Sequence, residues 1–138
     1  IKITANDLSL AVLASARRGM YNDYAIRTTP ADMLARYFTK EGNLYRIDPR
    51  LQKLVRFSQI NLKDKLQLQK VARSQIVFCR NVIIYFDDEM KKSVINAFYD
   101  NLLPGGYLII GHSESLHNIS RAFKPEHYAG SIIYCKQS

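Results

Sequence analysis

The stretch FCRNVIIYF, residues 78–86, sets Arg80, Asn81 and Tyr85 in an apolar run. An arginine can bind a carboxylate through two parallel N–H···O bonds, and a tyrosine hydroxyl can orient one of its oxygens. A buried strand has no packing use for Arg80 and Asn81, so the pattern places both residues where a strand leaves the core. On spacing alone the structural alternatives are favoured: an ion pair between Arg80 and one of the aspartates that follow, and a core position for Tyr85.

Other polar residues also follow strand-like runs. Asp7 ends IKITAN, Asn61 ends LVRFSQI, and His112 follows LIIG. Ligands of α/β sheets bind beyond the carboxyl ends of the strands, so these positions are candidate site residues. Asp7 could accept hydrogen bonds from the ribose hydroxyls of an adenosine, or it could cap a helix that starts at Leu8. The spacing leaves both alternatives open.

Other catalytic sets have little support in the sequence. His112, His117 and His127 lack metal-ligand spacing with each other or with the cysteines, so no metal is expected. The serines on either side of Glu114 lack the glycine pattern of a nucleophile elbow. The chain also has no glycine-rich phosphate loop. Neither a metal site nor a nucleophile elbow is therefore predicted.

Strands that alternate with amphipathic helices predict a doubly wound α/β sheet. QIVFC reads as a strand buried on both faces, LIIGH follows a tight Pro-Gly-Gly turn, and HYAGSIIYC predicts an antiparallel hairpin. The helices are expected from Leu8 to a stop at Gly19, over ADMLARYF with Thr29 as a cap, and from Asp87-Asp88 to about Leu102.

The composition fits one soluble domain. The chain has 138 residues, 47% of them hydrophobic and 23% charged, with no apolar run long enough to insert into a membrane. No secretory signal is recognisable, and Cys79 and Cys135 are expected to be free thiols of a cytoplasmic protein. The net charge of +8 indicates an acidic partner or simply a solvated basic face.

The stretch FCRNVIIYFDDE is followed, after a gap about as long as one helix, by LLPGGYLIIGHSESL. Together these stretches resemble the CheR-type chemotaxis receptor methyltransferases. ITANDLSLAVLASARRGMY and VRFSQINL agree with the same family, so the resemblance covers essentially the whole chain. It implies a Rossmann-like class I methyltransferase sheet and a cytoplasmic enzyme that methylates chemoreceptor glutamates. The methyl donor would be S-adenosyl-L-methionine, which becomes S-adenosyl-L-homocysteine. The implied partners are the cytoplasmic helices of methyl-accepting receptors, not nucleic acid.

The resemblance also implies roles for single residues. Arg80 and Tyr85 match catalytic positions, and the cofactor-binding positions are matched by Asp7 (ribose), Asn61 and Leu62 (adenine), and Arg80 and Asn81 (beside the cofactor).

The family's N-terminal helical domain and Gly-Glu-Glu-Pro cofactor turn have no counterpart in this sequence. Residues 1–138 are therefore expected to form a partial domain that lacks its first βα unit, with an antiparallel β-subdomain inserted at about 43–57. In some family members this subdomain docks a peptide at the tail of the receptor, and those members tend to have a longer loop. The short KEGN loop here indicates a member that does not depend on that docking. A sheet edge left open could support a dimer.

Two other functions remain open at this point. The chain could be a non-catalytic receptor- or nucleotide-binding adapter derived from the same fold. An NAD-dependent oxidoreductase would share the acidic residue at position 7, but it has no support from the CRNV and GHSES stretches.

Overall fold

The computed structural model describes all 138 residues, Ile1–Ser138. They divide into two compact units, Ile1–Asn61 and Leu62–Ser138.

A parallel strand pair opens the first unit. Strand β1 (Ile3–Asp7) pairs with β5 (Val55–Gln59), and Asp7 lies opposite Gln59. The predicted first strand is therefore confirmed, and its acidic last residue lies at the carboxyl end of a parallel pair.

Helix α1 (Leu10–Arg18) follows β1. The Ser9 hydroxyl accepts a hydrogen bond from the Val12 N–H, so Ser9 is the N-cap. The helix ends at Gly19, whose φ of 64° is left-handed, as the sequence predicted.

The first unit also holds a three-stranded antiparallel sheet in the order β2-β4-β3, formed by Met20–Tyr21, Leu44–Ile47 and Phe38–Glu41. The range 43–57 thus contains strands of two sheets, since Val55 onward belongs to β5. The two runs are separated by α3 (Pro49–Gln52), where the Asp48 carboxylate accepts the Arg50 N–H at 2.8 Å. The antiparallel sheet begins earlier in the chain than predicted and ends at Ile47.

Helix α2 (Ala31–Tyr37) begins without a side-chain cap. The prediction that Thr29 caps it is wrong, because Pro30 occupies the N-cap position and makes no side-chain hydrogen bond. The Thr29 N–H instead donates to the Ile26 carbonyl at 2.9 Å and closes the preceding turn.

The second unit is built on a four-stranded sheet in the order β6-β7-β9-β8. Its strands are β6 (Ser74–Cys79), β7 (Leu102–Ile110), β8 (Phe123–Tyr128) and β9 (Ser131–Lys136). β6 and β7 are parallel, and β8 and β9 form the predicted hairpin. The Pro-Gly-Gly segment lies within β7, at a register shift between Ser74 and Ile76 of β6.

Two helices precede β6 and β7. α4 (Lys65–Gln69) lies in the polar connector, and α5 (Asp88–Asn101) joins β6 to β7. α5 starts as predicted, with the Asp87 carboxylate accepting the Met90 N–H at 2.8 Å. No helix of the chain has both the length and the apolar character needed to cross a bilayer.

The packed core lies in the second unit. It consists of residues from β6, the turn after it, α5, the remaining strands and the segment between β7 and β8: Cys79, Ile83, Val94, Ile95, Phe98, Leu102, Leu108, Ile110, Leu116, Phe123 and Tyr134.

Strand β6 is not buried on both faces, contrary to the prediction. Val77 and Cys79 pack toward the core, whereas Ile76 and Phe78 are 50% and 69% exposed. Successive side chains of a strand point to opposite faces, and only the face that carries Cys79 is covered. β6 is also an edge strand of this sheet.

Candidate functional site

The backbone leaves β6 through an unusual conformation. Asn81 has a φ of 60°, a left-handed value that asparagine tolerates better than most residues. The residues after it, Ile83–Tyr85, form a 3₁₀ turn closed by a 3.2 Å hydrogen bond from the Tyr85 N–H to the Val82 carbonyl. The strand-like run VIIYF is therefore a tight turn that buries Ile83 in the core and packs Val82 and Phe86 against it.

The Glu114 carboxylate holds this turn. It accepts backbone N–H groups from Gly111 at 2.6 Å, Asn81 at 2.9 Å, Val82 at 3.0 Å and Ile84 at 3.2 Å. Gly111 directly follows β7, and the other three donors follow β6. One side chain thus ties together the carboxyl ends of two neighbouring parallel strands; we call this arrangement the Glu114 clasp.

The clasp shifts the pKa values of Glu114 and of the nearby Cys79 thiol. Burial raises the pKa of the Glu114 carboxyl, but the four backbone N–H groups outweigh that effect and leave the pKa below its ordinary value. Burial, and then the nearby Glu114 charge, raise the pKa of the Cys79 thiol to about 11. Glu114 is therefore a stable anion at neutral pH, and Cys79 is an uncharged, free thiol.

A cleft of about 410 Å³ opens at the same ends of the strands. Its lining includes Arg80, Gly111, His112 and Glu114, together with the exposed ring of Phe78. The lining thus combines a few polar groups with apolar side chains, as is usual in a small-molecule site.

The Arg80 guanidinium is exposed in this cleft and makes no hydrogen bond or ion pair. The alternative of an ion pair with a following aspartate is therefore wrong. Asp87 instead caps α5, and Asp88 is the first residue of that helix. The fork of N–H donors on Arg80 remains available to a ligand.

Tyr85 is 81% exposed, so it is not a core aromatic. Ile83 fills the core instead, because the 3₁₀ turn directs that side chain inward and leaves Ile84 and Tyr85 exposed. Tyr85 does not line the cleft, and its hydroxyl makes no hydrogen bond within the chain.

In the first unit, Asp7 and Asn61 come to the same edge. Asp7 ends β1, and Asn61 follows the end of its parallel neighbour β5. The Asp7 Oδ1 atom accepts the Ser9 N–H at 2.8 Å, whereas Oδ2 makes no hydrogen bond. Asp7 thus supports the turn before α1 and still presents one free oxygen. Leu62, which begins the second unit, packs against the core of that unit.

Comparison with known proteins decides the family. The protein-family model described as "CheR methyltransferase, SAM binding domain" matches residues 1–130 of this chain. The chain belongs to the CheR methyltransferase family. CheR membership, with the two parallel strand pairs, confirms the predicted Rossmann-like α/β class and S-adenosylmethionine as the ligand of the family's domain.

Individual relatives agree with this assignment. Chemotaxis protein methyltransferase 2 of Vibrio cholerae is 34% identical over 137 residues, which is 99% of this chain and 48% of the relative. Chemotaxis protein methyltransferase 1 of Pseudomonas aeruginosa is 36% identical, covering 98% and 47%. The Salmonella typhimurium chemotaxis protein methyltransferase is 37% identical, covering 96% and 46%. The chain spans about half the length of these relatives.

A solved structure, of an O-methyltransferase family protein from Burkholderia thailandensis, aligns with a TM-score of 0.49 at 15% identity. It covers 64% of this chain and 37% of that one. The CheR assignment rests on the sequence matches.

The residues present suit S-adenosylmethionine in two respects. The free Asp7 oxygen at the carboxyl end of β1 suits ribose hydroxyls, which are hydrogen-bond donors. The unpaired Arg80 guanidinium suits a carboxylate, which both the amino-acid part of this cofactor and a glutamate substrate carry.

Glu114 lines the cleft and is not among the site residues predicted from the sequence. In the sequence it stands between two serines, and three of the four N–H groups that it accepts lie 30–33 residues away in the chain. Two local signals point to it: an acidic residue three positions after the glycine that ends a buried strand, and an asparagine where the neighbouring strand ends.

Proposed function

We propose that residues 1–138 are part of the S-adenosylmethionine-binding domain of a protein-glutamate O-methyltransferase. The antiparallel sheet β2-β4-β3 would be its inserted subdomain. Its substrates would be glutamate side chains of chemoreceptors, and its role would be adaptation in chemotaxis. The observation that carries the proposal is the CheR match over residues 1–130, within which an unpaired Arg80 lies in the cleft.

Methyl transfer to a carboxylate requires little acid–base catalysis from the protein. When bound, S-adenosylmethionine supplies an electrophilic methyl group attached to a sulfonium. A glutamate carboxylate is already ionised at neutral pH, so the site needs no general base. The protein has to hold the carboxylate in line with the methyl group, and positioning of this kind can contribute a large part of a rate enhancement.

Arg80 is proposed to bind a carboxylate in the cleft through its paired N–H groups. That carboxylate would belong to the incoming glutamate or to the amino-acid part of the cofactor. Tyr85 is proposed to orient one glutamate oxygen with its free hydroxyl, while its exposed ring excludes water. Opposite charges neutralise each other in this reaction, so a drier site favours it.

The adenosine would be bound by residues at other strand ends. In the first unit, Asp7 would accept hydrogen bonds from the ribose, and Asn61 would contact the adenine. In the second unit, Leu62 would contact the adenine, and Asn81 would lie beside the cofactor.

The proposed partners are the acidic methyl-accepting helices of receptors, which would place the protein in the cytoplasm. The net charge of +8 would speed this encounter, and added salt would slow it.

The first test is binding of S-adenosylhomocysteine to the full-length protein by calorimetry. We expect micromolar affinity, weakened about tenfold or more in Asp7→Asn, which keeps an oxygen for the Ser9 N–H but loses the charge. Asp23→Asn, an exposed aspartate of the same unit, serves as the control and should bind normally. Equal affinity of Asp7→Asn and wild type would remove Asp7 from the site.

The second test is transfer of a labelled methyl group to membranes that contain chemoreceptors. Base-labile label on receptor glutamates is expected. Cofactor binding without transfer would favour the non-catalytic adapter, and absence of both would reject the methyltransferase.

A dimer through the free edge of β6 remains a proposal of its own, since β6 has a neighbour on one side only. Size-exclusion chromatography of the 138-residue chain over a dilution series checks it, and elution as a monomer throughout would reject it.

A further inference from the structure

The Glu114 clasp has the properties of a device that fixes the loop after β6, residues 81–84. Its four donors follow the carboxyl ends of β6 and β7, and the same carboxylate lines the cleft. None of the four bonds involves another side chain, so Glu114 acts on the backbone alone.

The chemistry of the clasp requires a carboxylate. An ionised carboxylate offers acceptor sites on both oxygens and no donor, so it can take four N–H groups at once. A glutamine has the same shape, but its NH₂ group would face N–H donors. Bonds to a charged acceptor are also about twice as strong as neutral ones.

The loop needs this support because its backbone is strained. Asn81 has a φ of 60°, and a non-glycine residue in that region persists only when its surroundings hold it there. Arg80 directly precedes Asn81, and Tyr85 closes the turn through its N–H bond to the Val82 carbonyl. The directions of both side chains therefore depend on residues that Glu114 holds.

We propose that Glu114 is a positioning residue, whose carboxylate fixes residues 81–84 and thereby the placement of the Arg80 and Tyr85 side chains. The proposal rests on the function proposed above and adds a residue that touches neither methyl donor nor acceptor in that scheme.

The kinetic test compares Glu114→Gln with Glu126→Gln in the full-length protein. Glu126 is also half-buried in the second unit, but it accepts only the Tyr107 hydroxyl, at 3.4 Å. Well below the unfolding temperature, we expect Glu114→Gln to lower kcat by roughly tenfold to a hundredfold and to change KM for S-adenosylmethionine by less than about threefold. Glu126→Gln should retain both constants.

A readout independent of activity follows the backbone amides by nuclear magnetic resonance. The amide signals of Gly111, Asn81, Val82 and Ile84 should move together at a single midpoint on acidification, and Glu114→Gln should abolish this shared titration. The amides of Arg80 and Tyr85, which do not bond to Glu114, should shift in Glu114→Gln and stay in place in Glu126→Gln.

The outcomes separate the two proposals. Methyl transfer by wild type with an unchanged kcat in Glu114→Gln, or a loss equal only to the unfolded fraction, would overturn the positioning role and leave the proposed function intact. A wild type that transfers no methyl group would overturn the proposed function. The amide shifts of Arg80 and Tyr85 would then decide the positioning role by themselves.

Discussion

Gly111 and Asn81 approach so closely that no side chain fits at position 111. A Cβ atom there would lie 3.0 Å from the Asn81 backbone nitrogen, 3.0 Å from its Oδ1 atom, and 2.8 Å from the Glu114 Oε2 atom. Gly111 is not among the residues with positive φ, so the close contact, not the backbone conformation, requires glycine. The end of β7 is therefore packed closely against the loop that follows β6.

Gly111→Ala should consequently push the loop away from β7. We expect a loss of about 1–3 kcal/mol in the free energy of unfolding, the usual range for overpacking. We also expect methyl transfer to fall by more than the unfolded fraction of the protein accounts for. Urea unfolding and a methylation assay measure the two effects. Ser113→Ala, at an exposed position in the same segment, is the control and should stay within about 0.5 kcal/mol of wild type. An unchanged stability in Gly111→Ala would mean that the contact relaxes freely.

The stability that Glu114 contributes should depend on pH. Its folded-state pKa lies below the ordinary value of 4.5, since four N–H groups outweigh burial. The folded state therefore favours the ionised form, and the contribution is fully present above the unfolded-state pKa. It is lost as the pH falls through the folded-state pKa.

The difference in unfolding free energy between wild type and Glu114→Gln should accordingly be largest above about pH 5 and shrink on acidification. Urea unfolding at pH 7 and at successively lower pH values measures it. Glu126→Gln, which removes a carboxylate that accepts only one hydroxyl, is measured alongside as the control. A Glu114→Gln difference that is constant with pH would show that charge is not what the clasp uses.

Arg80→Lys should distinguish the contribution of the paired guanidinium N–H donors from that of the positive charge. Arg80 makes no hydrogen bond or ion pair and is exposed, so stability should stay within about 0.5 kcal/mol of wild type in both Arg80→Lys and Arg80→Ala. Methyl transfer should fall about tenfold or more in each, since a lysine cannot form the paired N–H bonds. Arg121→Lys, another exposed arginine of this unit, is the control. Full activity of Arg80→Lys would leave only a role for the positive charge.

Features encoded by local signals were predictable from the sequence. The Asp87 cap and the apolar stripe of α5, the glycine stop of α1, and the C-terminal hairpin each depend on residues close together in the chain. The polar residues at strand ends, among them Asp7 and Arg80, were recognised for the same reason.

Features that depend on distant partners were not predictable. The runs LYRI and VRFSQ look alike in sequence, yet β4 joins an antiparallel sheet and β5 pairs in parallel with β1. The run VIIYF has strand composition, but a carboxylate at position 114 holds its backbone in a turn. Which face of β6 is covered also depends on what packs against it, and Phe78 has no such cover.

Tyr85→Phe removes a single oxygen from an exposed ring. Because that oxygen makes no hydrogen bond within the chain, the free energy of unfolding should change by less than about 0.5 kcal/mol. If the hydroxyl orients the incoming glutamate, methyl transfer should fall roughly tenfold, mostly in kcat, because the bond is made to the reacting carboxylate. Tyr128→Phe, which alters another largely exposed tyrosine of the second unit, is the matched control and should transfer methyl groups at the wild-type rate. A Tyr85→Phe protein with wild-type turnover would restrict Tyr85 to excluding water with its ring, and Tyr85→Ala would then be the variant that loses activity.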